Sequence, residues 1–160
     1  MALRKPLVVI AGQVTQLSAS DTLDAYIDEV ELSSAQNSNA SSMVIGNCVY
    51  VDGAATMDLA QADSASTSVL YGFVRDTTIL TTATGGVQTE GIFTATTTQW
   101  DAVSDETGGL DAGDIYYISP DTAGEITAVA TTTATELVAE VGIALSTTEL
   151  QILHNQSVLL

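Results

Sequence analysis

The chain has 160 residues, 46% of them apolar and only 14% charged, with a formal net charge of −17. That length and apolar content suit one domain with a real core, and a mean hydropathy of +0.29 excludes a disordered chain. Three basic residues against twenty acidic ones cannot build a face that neutralises phosphates, so nucleic acid is excluded as a partner, and an anionic membrane surface would repel the protein.

Arg4 and Lys5 precede an apolar run, Leu7–Ala11, that is shorter than the ~7 residues of a signal-peptide core. The sequence therefore predicts a strand over Leu7–Ile10 and a protein made in a cytoplasm, with no run near the ~18 apolar residues of a membrane span. Further strands are expected at Val14–Leu17 and Ala25–Leu32. Ser33–Ser42 (SSAQNSNASS) is polar and of low complexity, which predicts a mobile loop or linker at 33–42. It divides an N-terminal arm, residues 1–32, from a body, residues 43–160. In the body, short β-branched or aromatic runs alternate with Gly, Asp, Ser and Thr clusters. They place strands at Cys48–Val51, Met57–Ala60, Ser68–Arg75, Gly86–Thr94, Asp114–Ile118, Glu125–Ala128, Glu136–Ala144 and Glu149–His154. Thr96–Val103 (TTTQWDAV) carries capping threonines and then Trp100 and Val103 three apart, the pattern of one or two helical turns. The expected fold is all-β: a barrel or sandwich of about ten short strands, with an extended arm and one short helix.

The body carries a weak internal repeat. Gly46–Val51 aligns with Gly113–Ile118 and Asp58–Ala60 with Glu125–Thr127, both at an offset of 67, and Val69–Val74 aligns with Ala139–Ala144 at an offset of 70. Each unit reads Gly, strand, turn, strand, Ser/Thr-rich loop, then a strand with an interior glycine, Gly72 or Gly142. An interior strand glycine marks a bulge or a close backbone approach.

Chemistry-bearing residues are few. The single Cys48 rules out an intrachain disulfide, and with the single His154 it would form a nucleophile–base pair only if the fold joined them. A lone strand cysteine reads better as a small buried hydrophobe. Asp101, Asp105, Glu106, Asp111 and Asp114 crowd a Gly-rich stretch (DAVSDETGGLDAGD). Their spacing misses the EF-hand pattern, and the plainer reading is turn and helix capping, with no metal and no cofactor. Paired carboxylates of a glycosidase stay open in principle, but aromatic platforms are scarce. Gly85–Gly86 and Gly108–Gly109 lack the following Lys of a phosphate loop. Tyr50, Tyr116 and Tyr117 read as strand and core residues. Arg4 and Lys5, two of the three bases, with Leu7 and Val9 beside them, read either as an ordinary terminus or as an arm that docks on an acidic partner or adds a strand to a partner's sheet.

At Pro6–Leu23 (PLVVIAGQVTQLSASDTL) the chain resembles virion proteins of tailed phages, through Pro6, Leu7, Gly12, Gln16, Leu17, Asp21 and Leu23. The phrases YVDGAATMDLAQADS, TTTQWDAVSDETGGLDAGDIYYISPDTAGEITA and VAEVGIALSTTEL are similar, in that order, to capsid decoration (cement) proteins and short tail- or head-fibre β domains. The resemblance implies a non-enzymatic structural protein on the virion, on the head surface before the tail. Its partner would be the major capsid protein or another virion protein, and it would act as a homo-oligomer, commonly a trimer. A chain stopping at Leu160 is expected to be a self-contained decoration protein; a short fibre and a module binding host-surface carbohydrate are the alternatives. A surface rich in Thr, Ser and Ala and poor in Lys fits this use, because few long side chains are immobilised on packing against a lattice.

Overall fold

Short runs of β-branched and aromatic residues, interrupted every few positions by Gly, Asp or Ser, yield many strands of two to six residues. The computed structural model describes residues 7–10, 13–16, 35–155 and 157–160. Within them the protein is nearly all β, with a nearly closed, barrel-like sheet, several smaller sheets and one short helix. In chain order the strands are β1 (Leu7–Ile10), β2 (Gln13–Gln16), β3 (Ala35–Asn37), β4 (Met43–Val44), β5 (Cys48–Gly53), β6 (Thr56–Leu59), β7 (Gly72–Val74), β8 (Thr78–Ile79), β9 (Thr84–Gly85), β10 (Val87–Gln88) and β11 (Ile92–Thr94). The helix α1 (Thr97–Asp101) follows, then β12 (Ile115–Ile118), β13 (Ile126–Thr127), β14 (Leu137–Val138), β15 (Glu140–Ala144), β16 (Glu149–Ile152) and β17 (Val158–Leu159).

One sheet has the order β10-β7-β5-β6-β3-β9 and a second the order β11-β16-β15-β12-β13; β1-β2, β4-β8 and β14-β17 are two-stranded. The segments aligned in the sequence hold equivalent places in the two larger sheets. β6-β5-β7-β10 and β13-β12-β15-β16 are the same series of antiparallel neighbours. Val49 faces Gly72 and Cys48 faces Phe73; Tyr116 faces Gly142 and Ile115 faces Ile143. On the outer side Gln88 faces Phe73 and Gln151 faces Ile143. The entry turns match as well. Gly46 and Gly113 have φ of +89° and +96°, and each donates its N–H to the end of the third strand, at Val74 O (3.0 Å) and Ala144 O (2.8 Å). The inner hairpins differ. Tyr50 faces Asp58, whereas Tyr117 faces Thr127, two residues further than the alignment expects. A shift of two keeps every side chain on its face.

The larger core gathers Cys48, Phe73, Phe93, Trp100, Tyr116, Ile118, Val141 and Leu150, among others. Phe73, Phe93 and Trp100 pack mutually, with ring centroids 5.5–6.2 Å apart. A second core holds Ala35, Met43, Val49, Met57, Val74, Ile79 and Val87. Cys48 and Phe73 belong to the first and their chain neighbours Val49 and Val74 to the second, so β5 and β7 are covered on both faces. Thr96 caps α1 through its side chain, and Gln99 returns a bond to the Thr96 N–H, a full capping box.

Several expectations are revised. Residues 35–42 of the segment read as a linker belong to the body: Ala35–Asn37 is a strand, and Ala35 and Asn37 are fully buried. Asn37 replaces apolar patterning with hydrogen bonds. Its Nδ2 donates to Ser41 O and Ile79 O at 3.0 Å, and its Oδ1 accepts from the Asn39 N–H at 2.8 Å. The run Ser68–Arg75 is a strand only over Gly72–Val74, and Gly86–Thr94 is broken into β10 and β11 around Gly91, which has φ +83°. The expected strand Ala25–Leu32 lies outside the described residues, as does most of the arm, of which β1 and β2 form a hairpin pairing Leu7 with Gln16.

Candidate functional site

Cys48 and His154 have separate surroundings. Cys48 is fully buried, its Sγ directed at Glu125 O (3.4 Å) and Ala60 O (4.0 Å). Burial pushes its thiol up to about 12, so the thiolate that nucleophilic chemistry needs is not formed near neutral pH. His154 is exposed, and its Nε2 donates to the Thr89 carbonyl.

The acidic stretch 101–114 is built as a set of turns. Asp101 Oδ1 accepts from the Gly108 and Gly109 N–H groups (2.9 and 2.7 Å). Asp105 Oδ2 accepts from Thr127 Oγ1 at 2.8 Å, and the buried Tyr116 hydroxyl accepts the Asp111 N–H at 2.9 Å. Glu106 has its pKa raised, first by desolvation and then by Asp105, Asp111 and Asp114. Among the described residues no three His, Cys, Asp or Glu side chains converge as metal ligands. A cavity of about 450 Å³ beside this stretch includes Asp105, Glu125, Thr127 and Glu136. Two of its carboxylates are engaged by neighbouring hydroxyls, Asp105 by Thr127 and Glu136 by Thr131.

Of the arm residues singled out as partner-binding, Arg4 and Lys5 lie outside the described residues, and Leu7 and Val9 stand in β1 opposite Gln16 and Val14.

A further surface emerges only from the fold. Tyr50, Val51, Val69, Leu70 and Tyr71 line a mostly apolar cavity of about 270 Å³. Val69 and Leu70 also line a second, of about 500 Å³, with Ser68, His154 and Ser157. Val69 is 60% exposed and Val51 46%. The sequence hid this surface, because Val69–Tyr71 sit in an apolar run that reads as buried strand. Those residues instead precede β7, after a turn in which Thr67 Oγ1 donates to Asp63 Oδ1 (2.8 Å) and the Ser68 N–H to Ser64 O (3.1 Å). The carboxylates Asp58, Asp52 and Asp63 act on Tyr50, whose hydroxyl is shifted upward mainly by desolvation and then by these three charges.

No family model matches the chain, and no curated protein matches it.

Proposed function

We propose that this is a non-enzymatic structural protein of a tailed-phage virion, a decoration or cement protein that stabilises the head shell by binding the major capsid protein. In this reading it is made in the host cytoplasm and acts as a homo-oligomer. The observation that carries the reading is the order of motifs from Pro6–Leu23 to VAEVGIALSTTEL, which resembles such proteins along most of the chain. The chemistry of the body supports a structural role. Its lone thiol is buried among carbonyls, and carboxylates such as Asp101 and Asp105 hold turns together. Two matching strand units packed on one shared core make a body whose surface is poor in Lys and Arg, and such a surface loses little conformational entropy on docking to a lattice.

The test is co-sedimentation of the purified protein with phage heads that lack it. Saturable binding that raises the temperature at which heads release their genome is expected. Absence of binding, or saccharide release from host envelopes by the purified protein, overturns the reading.

A further inference from the structure

The apolar groove at Tyr50, Val51, Val69, Leu70 and Tyr71 has a definite chemical character. Its lining is aliphatic and aromatic, with Ser66 beside it, and the charges of Asp58, Asp52 and Asp63 act on its Tyr50. Asp58 stands directly opposite Tyr50 in the β5–β6 ladder, which puts both side chains on one face. Asp52 follows Val51 in β5, and Asp63 opens the turn that leads to Val69. The bonds these carboxylates accept come from neutral donors: Ser38 Oγ to Asp52 (2.7 Å), Asn39 Nδ2 to Asp58 (2.6 Å) and Thr67 Oγ1 to Asp63 (2.8 Å). None of these donors neutralises a charge, and a segment carrying cations next to an apolar strand complements the site.

The chain contains one such segment. Arg4 and Lys5 are two of its three basic residues, and they lead directly into Pro6 and the apolar Leu7–Ile10. Among the described strands β1 pairs only with β2, and a two-stranded hairpin is marginal in water unless it lies on another surface. Among the described residues, then, an apolar strand with a basic leader has a single strand neighbour, and a mostly apolar groove with carboxylates near its Tyr50 is lined by exposed and half-buried side chains.

We propose that the Arg4–Ile10 segment of one copy docks in the Tyr50/Val69/Leu70 groove of a second copy, linking copies of this chain into a homo-oligomer. Leu7–Ile10 covers the apolar lining, and Arg4 and Lys5 face Asp52, Asp58 and Asp63. The partner assigned to the basic arm is thus the protein itself. The inference does not depend on the virion reading, because it is measured on the purified chain without particles.

The experiment is light scattering of the full chain at low salt, beside Val69→Asp and the double variant Arg4→Glu/Lys5→Glu. The account expects a mass that is a multiple of 16.5 kDa for the unaltered protein and the monomer mass for both variants, with unchanged circular dichroism. Val69 is well exposed, so its replacement leaves the cores intact, and the arm variant keeps the body sequence whole. As a second readout, a Val8→Cys chain is mixed with a Val69→Cys chain under mild oxidation. A cross-linked dimer containing one chain of each kind is expected, the buried Cys48 taking no part. A monomeric unaltered protein, variants that keep the oligomer, or a mixture of the two cysteine chains that yields no cross-linked dimer of one chain of each kind overturns the proposal.

Discussion

Gly72 and Gly142 lie 70 positions apart and make the same approach to a neighbouring backbone. A Cβ on Gly72 would stand 2.3 Å from Gln88 O, and one on Gly142 would stand 2.4 Å from Gln151 O. In each case the obstacle is the main chain of the strand on the outer side, β10 or β16, at a glutamine. The requirement for glycine is steric here. The strands are drawn so close that a methyl group has no room.

Gly72→Ala and Gly142→Ala should therefore each destabilise the protein by about 1–3 kcal/mol, the usual cost of overpacking. Gly86→Ala is the control, since its Cβ would meet nothing closer than 3.6 Å. Urea denaturation midpoints decide the matter. A neutral Gly72→Ala or Gly142→Ala removes the close approach at that position.

Asn37→Leu should cost about 1–3 kcal/mol despite adding apolar volume. It leaves the Ile79 carbonyl without its donor and the Asn39 N–H without its acceptor. The same substitution in a true linker would be silent, so the denaturation midpoint also reports that residues 35–42 are part of the body.

The Cys48 thiol has a folded pKa of about 12 against an ordinary 9.0, desolvation being the largest cause. A raised folded pKa gives a contribution that is fully present below the unfolded value and is lost as pH rises toward the folded one. Stability should thus fall between about pH 9 and 12, by at most on the order of 4 kcal/mol. Tyrosines also ionise there, so the informative quantity is the difference between the unaltered protein and Cys48→Ala, which should narrow with rising pH. A disulfide-forming reagent at pH 8 should modify Cys48 only after denaturant is added.

Asp101→Ala should lower stability by about 1–3 kcal/mol, because the Gly108 and Gly109 N–H groups lose their acceptor. The thermal midpoint of the unaltered protein should be the same in calcium and in chelator. A large calcium-dependent rise, lost in Asp101→Ala, would assign the 101–114 stretch to cation binding.

Much of the fold was legible because its longer strands carry strong local signals. The strand expected over Asp114–Ile118 is formed as Ile115–Ile118 and the helix expected over Thr96–Val103 as Thr97–Asp101 with its Thr96 cap, whereas the single strand expected over Glu136–Ala144 is divided into Leu137–Val138 and Glu140–Ala144, which belong to different sheets. The repeat was legible for the same reason, since Gly46 with Gly113 and Gly72 with Gly142 mark equivalent backbone demands. Strands of two residues such as Met43–Val44, Thr78–Ile79 and Val158–Leu159 are too short to show a period. Ala35–Asn37 was missed because its burial rests on side-chain-to-backbone bonds of an asparagine, which composition reads as loop. The groove was illegible because Val69 and Leu70 look like core residues. Val69 is exposed and Leu70 only half-buried against the larger core, because the turn at 63–68 leads the chain over the surface before β7 begins.

The place proposed for the protein is the outer shell of a phage head. Cryo-electron microscopy of the particle encoded with this protein, compared with particles from a strain lacking it, tests that claim most directly. The account predicts density on the outer head shell that fits the β body of residues 35–160 and vanishes in the deletion particles. Unchanged head density, with the protein absent from purified particles or found only on the tail, would contradict it.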